Sequence, residues 1–350
     1  MEELGLGEVR GTGRLMPMAA IYYAKLYKAM ADLDADVYYQ RSASFTTGVV
    51  ATCCRLLNKP FVFGSSSIFN VTVNLKGWTY ERGIFDTLHL SSAAYVYGLN
   101  RTSAIVAQTK QIASIFRQEF PRSDVRQIYP LAHSKIQSKL EKGSPFVLCI
   151  SRFIWYRSPE TFLSLAKMLP DLEFVLGGDG PMREQITKEA RSIPNLRVVT
   201  PVTPSQSLEL MQKASAYVNT SQVEGFPNTF LECMQTGTPY VSFYDPDEAI
   251  CRYGLGSHVS SLEGMARSVR ELMADEETAV RIRTRGMDYL DENHNPRIIG
   301  EMYENLFREK SKGVGRTRGV KPEVHSEPRA ENRLSPQEAI NLRVHPRVAW

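Results

Sequence analysis

From residue 144 onward, short apolar runs alternate with helical patterns, and this alternation restricts the fold more than any other feature of the chain. Residues 145–150 form a continuous apolar run of strand length. Residues 172–176, 196–199, 216–219 and 240–243 repeat it, with helical spacing between them. Strands that are apolar on both sides and separated by helices predict a parallel sheet covered on both faces. Ser158 is expected to cap a helix with Pro159 at its first position, and Phe162, Leu165, Ala166 and Leu169 give that helix its apolar stripe. In such sheets ligands bind beyond the carboxyl ends of the strands. The loop starting at Ser151 and the loop over 221–228 both lie at such ends.

The first 140 residues read as a second, smaller α/β unit. Helices are expected over 19–31, 48–57 and 111–120, and strands over 35–40, 60–63 and 103–108. Residues 128–133 lead into a link that ends near 143. The division is thus 1–140, 141–310 and a tail, 311–350. That tail is rich in Arg, Pro and Glu, has almost no apolar periodicity and is expected to be disordered. A chain of 350 residues that is 43% apolar supports two cores.

Several function classes are excluded by composition. No run reaches the ~18 apolar residues that a spanning helix needs, and residues 1–14 lack the apolar stretch of a secretory signal. The five cysteines show no C-x-x-C spacing and read as buried thiols of a reducing cytosol. None of the six histidines stands at metal-ligand spacing from another His, Cys or carboxylate, so no metal site is expected. Charge is uneven: residues 1–140 hold 16 Lys+Arg against 10 Asp+Glu, and residues 141–310 hold 18 against 24. A basic first half suits contact with an anionic surface such as the inner face of a membrane. The basic residues are not interleaved with stacking aromatics, which argues against nucleic acid.

The chemistry concentrates in two stretches. Over 224–239, Glu224 and Glu232 stand with seven residues between them across a loop-to-helix junction. Gly225 and Pro227 shape the loop, Asn228 is the expected N-cap, and Phe230, Leu231 and Met234 carry helical spacing. Gly237 and Pro239 end the segment as a C-cap glycine and following proline do. A helix N-terminus presents free N–H groups and partial positive charge, so it suits phosphate. The second stretch follows the first strand of the second unit: Arg152 and Arg157, five apart, are placed to converge on a diphosphate through guanidinium forks.

These features resemble retaining glycosyltransferases of the GT-B fold, glycosyltransferase family 4 (glycosyl transferases group 1) in particular. The resemblance is good over 145–310 and partial over 36–140. It implies an α/β architecture of two Rossmann-like parallel-sheet domains facing a cleft, the first incomplete. It also implies transfer of a sugar from a nucleoside diphosphate to a glycan or lipid-linked acceptor, with retention and without a metal cofactor. Arg152 matches the family's arginine, and Arg157 stands where lysine is usual. Gly178 would border the nucleotide, and main chain over 200–204, Val202 included, would hold the base. Glu224 would hold sugar hydroxyls and Glu232 the ribose, while Gly225, Phe226, Pro227, Asn228 and Thr229 would form the phosphate end of the helix. Two departures matter. Residues 1–18 show no opening strand, which implies a short acceptor-side domain. The loop over 64–70 lacks the family's histidine, leaving Ser66 and Asn70 as candidates. Three readings stay open: an active transferase, a silent nucleotide-sugar-binding partner chain or truncated remnant, and a sugar-nucleotide epimerase.

Overall fold

The computed structural model describes residues 15–68, 70, 90–132, 144–312 and 348–349. Packing divides the chain into two units, Met1–Ile128 with Gly300–Trp350, and Tyr129–Ile299.

The first unit holds helices α1 (Leu15–Leu33), α2 (Thr46–Leu56), α3 (Leu90–Leu99) and α4 (Lys110–Glu119). Its strands are β1 (Val37–Arg41), β2 (Phe61–Ser65), β3 (Ala104–Ala107), β4 (Val125–Gln127) and β11 (Val348–Ala349), in the order β11-β1-β2-β3-β4. All pairings are parallel. Every residue of β2 and β3 is buried, as strands covered on both faces require. Thr109 caps α4, its hydroxyl accepting from the Ile112 N–H at 3.1 Å. Two glycines let α2 and α3 approach closely: a Cβ at Gly48 would meet the Ala94 carbonyl oxygen at 2.4 Å, and one at Gly98 the Thr47 oxygen at 2.7 Å. Phe61, Phe63, Tyr95, Ile105 and Phe116 fill the core beneath.

The loop after β2 is closed by its own Asn70, which is buried. The Asn70 Oδ1 accepts from the Ser66 N–H at 2.7 Å and the Ser67 N–H at 3.1 Å. That oxygen is committed to holding the loop.

The second unit is one six-stranded sheet in the order β10-β9-β8-β5-β6-β7, all parallel. Its strands are β5 (Phe146–Arg152), β6 (Glu173–Asp179), β7 (Leu196–Val199), β8 (Ala216–Asn219), β9 (Tyr240–Ser242) and β10 (Gly256–His258). The helices are α5 (Pro159–Met168), α6 (Arg183–Ala190), α7 (Pro204–Lys213), α8 (Asn228–Thr236), α9 (Ala249–Tyr253), α10 (Leu262–Ala274) and α11 (Glu276–Asn293). One layer buries Phe153, Phe162, Phe174 and Val269; the other buries Tyr217, Phe230, Tyr240 and Tyr289. A last helix, α12 (Pro296–Lys312), begins in the second unit and ends in the first, where Tyr303 and Phe307 each lie 5.9 Å from the Tyr39 ring.

Local expectations fail at four places, each for a physical reason. β6 runs on through Gly177 and Gly178 to Asp179, because its ladder to β5 pairs Gly178 with Ser151 and Asp179 with Arg152. Ser158 precedes α5 in the left-handed conformation (φ 47°) and makes no capping bond; its hydroxyl donates to the Trp155 carbonyl instead. Pro227, not Asn228, is the N-cap of α8. Cys53, Cys54, Cys149 and Cys233 are buried, but Cys251 is exposed.

Of the tail, only Lys312 and its predecessor in α12 and the short strand β11 are described; the expectation of disorder otherwise falls outside the described residues, as do the start of the chain and most of the link before 144. No described helix is long and apolar enough to cross a membrane.

Candidate active site

The carboxyl ends of β5, β6, β7 and β8 carry the residues singled out in the sequence. β5 ends at Arg152, and the chain enters a 3-10 turn, Trp155–Arg157, before α5. That loop is fastened to the end of β6. The Phe153 N–H donates to the Asp179 carbonyl at 2.9 Å, and the Met182 N–H donates to the Phe153 carbonyl at 3.0 Å. Phe153 itself is fully buried.

Close approach between these ends depends on glycine at the penultimate position of β6. Gly178 sits at φ 151°, and a Cβ there would lie 1.9 Å from the Ser151 carbonyl oxygen. The result is an open cavity of about 530 Å³ lined by Ile150, Ser151, Arg152, Gly178, Asp179, Gly180 and Val202. Arg152 is exposed in it, so the cavity offers a solvated guanidinium beside bare backbone. Three predicted donor-site residues, Arg152, Gly178 and Val202, thus share one cavity.

Beside it, Arg157 turns to the end of β8. Its guanidinium is ion-paired with the Glu224 carboxylate and donates to the Ser221 hydroxyl at 3.3 Å. The Thr220 hydroxyl donates to the Arg157 carbonyl at 2.7 Å, fixing the turn from below. The Glu224 side chain is 5% exposed and that of Arg157 29%. A carboxylate so withdrawn from water needs such a partner. The two arginines are therefore not equivalent: Arg152 faces the cavity and Arg157 holds Glu224.

Gly225, Phe226 and Pro227 are buried and carry the chain from Glu224 into α8. No side chain caps the first turn of that helix, whose start is Asn228, exposed, and Thr229, half-buried. Its free N–H groups and dipole remain available to an anion. Glu232 is half-buried one turn further in. The loop is anchored by Phe226, whose ring lies 4.5 Å from His294 and 5.5 Å from Tyr129. His294 is wholly buried, with its Nδ1 2.7 Å from the Pro130 carbonyl, and burial pushes its pKa down to about 4.

Sequence reasoning missed Asn219, Thr220, Ser221 and His294. Asn219 is buried; its Oδ1 accepts from the Ser221 N–H at 3.0 Å, while its amide nitrogen makes no hydrogen bond among the described residues. The available signal was the switch from apolar to polar residues where the 216–219 strand ends, at the ligand-binding end of a parallel sheet. His294 gave no signal, because its partners are brought to it by the fold alone. Below the site, burial pushes the Cys149 thiol up to about 12, so it acts as packing.

Residues 133–288 match the model of the family Glycosyl transferases group 1. That segment is similar to group 1 glycosyltransferase domains. Among curated proteins, the chain is 26% identical to the lipopolysaccharide core biosynthesis glycosyltransferase LpsE of Rhizobium meliloti (strain 1021), over 48% of this chain and 51% of that protein. It is 29% identical to the Vi polysaccharide biosynthesis protein VipC/TviE of Salmonella typhi, over 27% of this chain and 17% of that protein. The chain thus spans about half the length of the first and less of the second.

Solved structures resemble a larger share of the domain pair. A UDP-forming α,α-trehalose-phosphate synthase from Burkholderia vietnamiensis gives a TM-score of 0.67 at 14% identity, over 91% of this chain and 82% of that one. Sucrose-phosphate synthase from Thermosynechococcus elongatus gives 0.67 at 15%, over 86% and 81%. Anabaena HepE in complex with UDP gives 0.64 at 17%, over 82% of each chain. At such identities the likeness establishes the fold, an α/β pair of Rossmann-like parallel-sheet domains of the GT-B kind.

Proposed function

We propose that the group 1 domain binds a nucleoside-diphosphate sugar and that the chain transfers its sugar to a glycan or lipid-linked acceptor with retention at the anomeric carbon. The observation that carries this reading is the buried Glu224 held by Arg157 at the strand ends, next in sequence to the uncapped start of α8. A carboxylate for sugar hydroxyls and a helix start for a diphosphate are what such a donor needs.

In the reaction, the bond from the anomeric carbon to the diphosphate oxygen breaks, and its electron pair leaves on the phosphate. Arg152, Arg157 and the N–H groups of Asn228 and Thr229 would stabilise that charge, as preorganised donors do in a partly closed site. The acceptor oxygen forms its bond on the same face, and its proton passes to the departing phosphate. Glu224 would hold the hydroxyls of the sugar and Glu232 the ribose, with Gly178 and Val202 bordering the nucleotide. The leaving charge is met by side chains and helix dipole, so no metal is required for this step. Solved neighbours that hold UDP include HepE and the pneumococcal O-GlcNAc transferase GtfA, which makes UDP-sugars the first donors to test. The basic balance of residues 1–140 suits an acceptor at an anionic membrane face.

The test is release of nucleoside diphosphate from UDP-, GDP- and ADP-sugars with lipid-linked and polysaccharide acceptors, followed by NMR of the product's anomeric configuration. Acceptor-dependent release with retained configuration supports the reading, and inverted configuration contradicts it. The rival reading is a silent nucleotide-sugar-binding partner chain. It predicts saturable nucleotide binding with no release under any acceptor.

A further inference from the structure

We propose a second site, for a zinc-class divalent cation, formed by Asp245, Cys251 and His258 on the far flank of the second unit's sheet. One ligand atom from each, a carboxylate oxygen, the thiol sulfur and a ring nitrogen, lie within 4.8 Å of one another. The spacing in the chain, five and then six residues between ligands, matches no familiar motif, so the sequence predicts no metal there. The fold brings them together. Asp245 opens the turn after β9, Cys251 lies on α9, and His258 ends the edge strand β10.

The geometry favours a metal. Asp245 is held in place because its two oxygens accept from the Ile250 N–H at 2.7 Å and the Cys251 N–H at 3.1 Å. Each oxygen keeps a second lone pair. Cys251 and His258 are both exposed, so an ion has access, and the His258 ring makes no hydrogen bond or ion pair among the described residues.

A set of one sulfur, one nitrogen and one oxygen ligand suits Zn²⁺ and not the hard ions Mg²⁺ or Ca²⁺. Three protein ligands with water in the fourth position complete its tetrahedron. The site stands apart from the donor cavity: β9 and β10 are the opposite edge of the sheet from β6 and β7. Its effect would be to clasp a three-residue edge strand to the turn beside it.

Cobalt substitution on the full chain tests this. The protein is stripped with chelator, titrated with Co²⁺ and then challenged with Zn²⁺. The expected result is a saturable near-ultraviolet thiolate-to-cobalt band at equimolar metal, bleached by Zn²⁺ and absent in Cys251→Ser. Loss of an outer-shell partner typically weakens binding 10–100-fold, so His258→Ala, which removes a direct ligand, should weaken it by at least about 10-fold. Both positions are exposed, and the melting curve of each variant without metal checks its fold. No band in the parent chain, or a band that survives Cys251→Ser, would overturn the proposal; the other four cysteines are buried.

Discussion

Arg157 holds the carboxylate of Glu224 out of water, and the two are unequally buried, at 29% and 5% side-chain exposure. That inequality makes the pair asymmetric under mutation. Arg157→Ala strands a buried carboxylate, at a cost of about 3–5 kcal/mol. Glu224→Gln leaves a guanidinium that water can reach, and its cost is smaller. Chemical denaturation of both variants measures the difference, and equal losses would contradict the assignment.

Arg152 has the opposite character. It is exposed and lines the cavity, and its side chain makes no hydrogen bond or ion pair among the described residues. Arg152→Ala should change stability by no more than about 0.5 kcal/mol. Removing one charge-stabilising contact typically lowers turnover by ~100-fold, and this variant should show that loss in a donor-release assay. A large drop in melting temperature would instead make Arg152 structural.

Gly178→Ala should damage fold and site together. Its Cβ would meet the Ser151 carbonyl at 1.9 Å, at a backbone angle that favours glycine. Relieving that contact pushes β5 from β6, and strain of this kind costs about 1–3 kcal/mol. The expected outcome is a lowered melting temperature with weakened nucleotide binding; an unaltered variant would show that the strand ends do not need this approach.

His294 gives the second unit an acid-sensitive step. Burial lowers its pKa from 6.5 to about 4. Between those values the unfolded chain binds more protons than the folded one, so stability falls as pH falls through that window. The full shift is worth about 3 kcal/mol. Melting curves from pH 7 to 4, compared with His294→Gln, isolate the contribution. A parent and variant that lose stability in parallel would contradict it.

Much of the second unit was legible because its strands are apolar on both sides: residues 196–199 and 216–219 are strands at the predicted bounds. Strand β10, with Gly256 and His258 in three residues at a sheet edge, carries no such pattern. The division at residue 300 also escapes the sequence, since α12 is continuous in periodicity while its packing changes partners. At the site, residue types and strand ends were readable, so Arg152, Gly178 and Glu224 could be named. The pairing of Arg157 with Glu224, and the packing of Phe226 on His294, depend on contacts between elements distant in sequence. Ser158 stands at the expected N-cap position but makes no capping bond in its left-handed conformation, whereas the cap of α8 falls one residue earlier than expected, at Pro227.

Donor binding is the central claim, and a thermal-shift titration of the chain with UDP, GDP and ADP tests it most directly, beside an Arg152→Ala/Arg157→Ala control. A ligand at ~100 times its dissociation constant adds about 2.7 kcal/mol to the native state. The account predicts a raised melting temperature with at least one nucleotide, lost in the control. A chain that melts cooperatively and shifts with none of the three would contradict it.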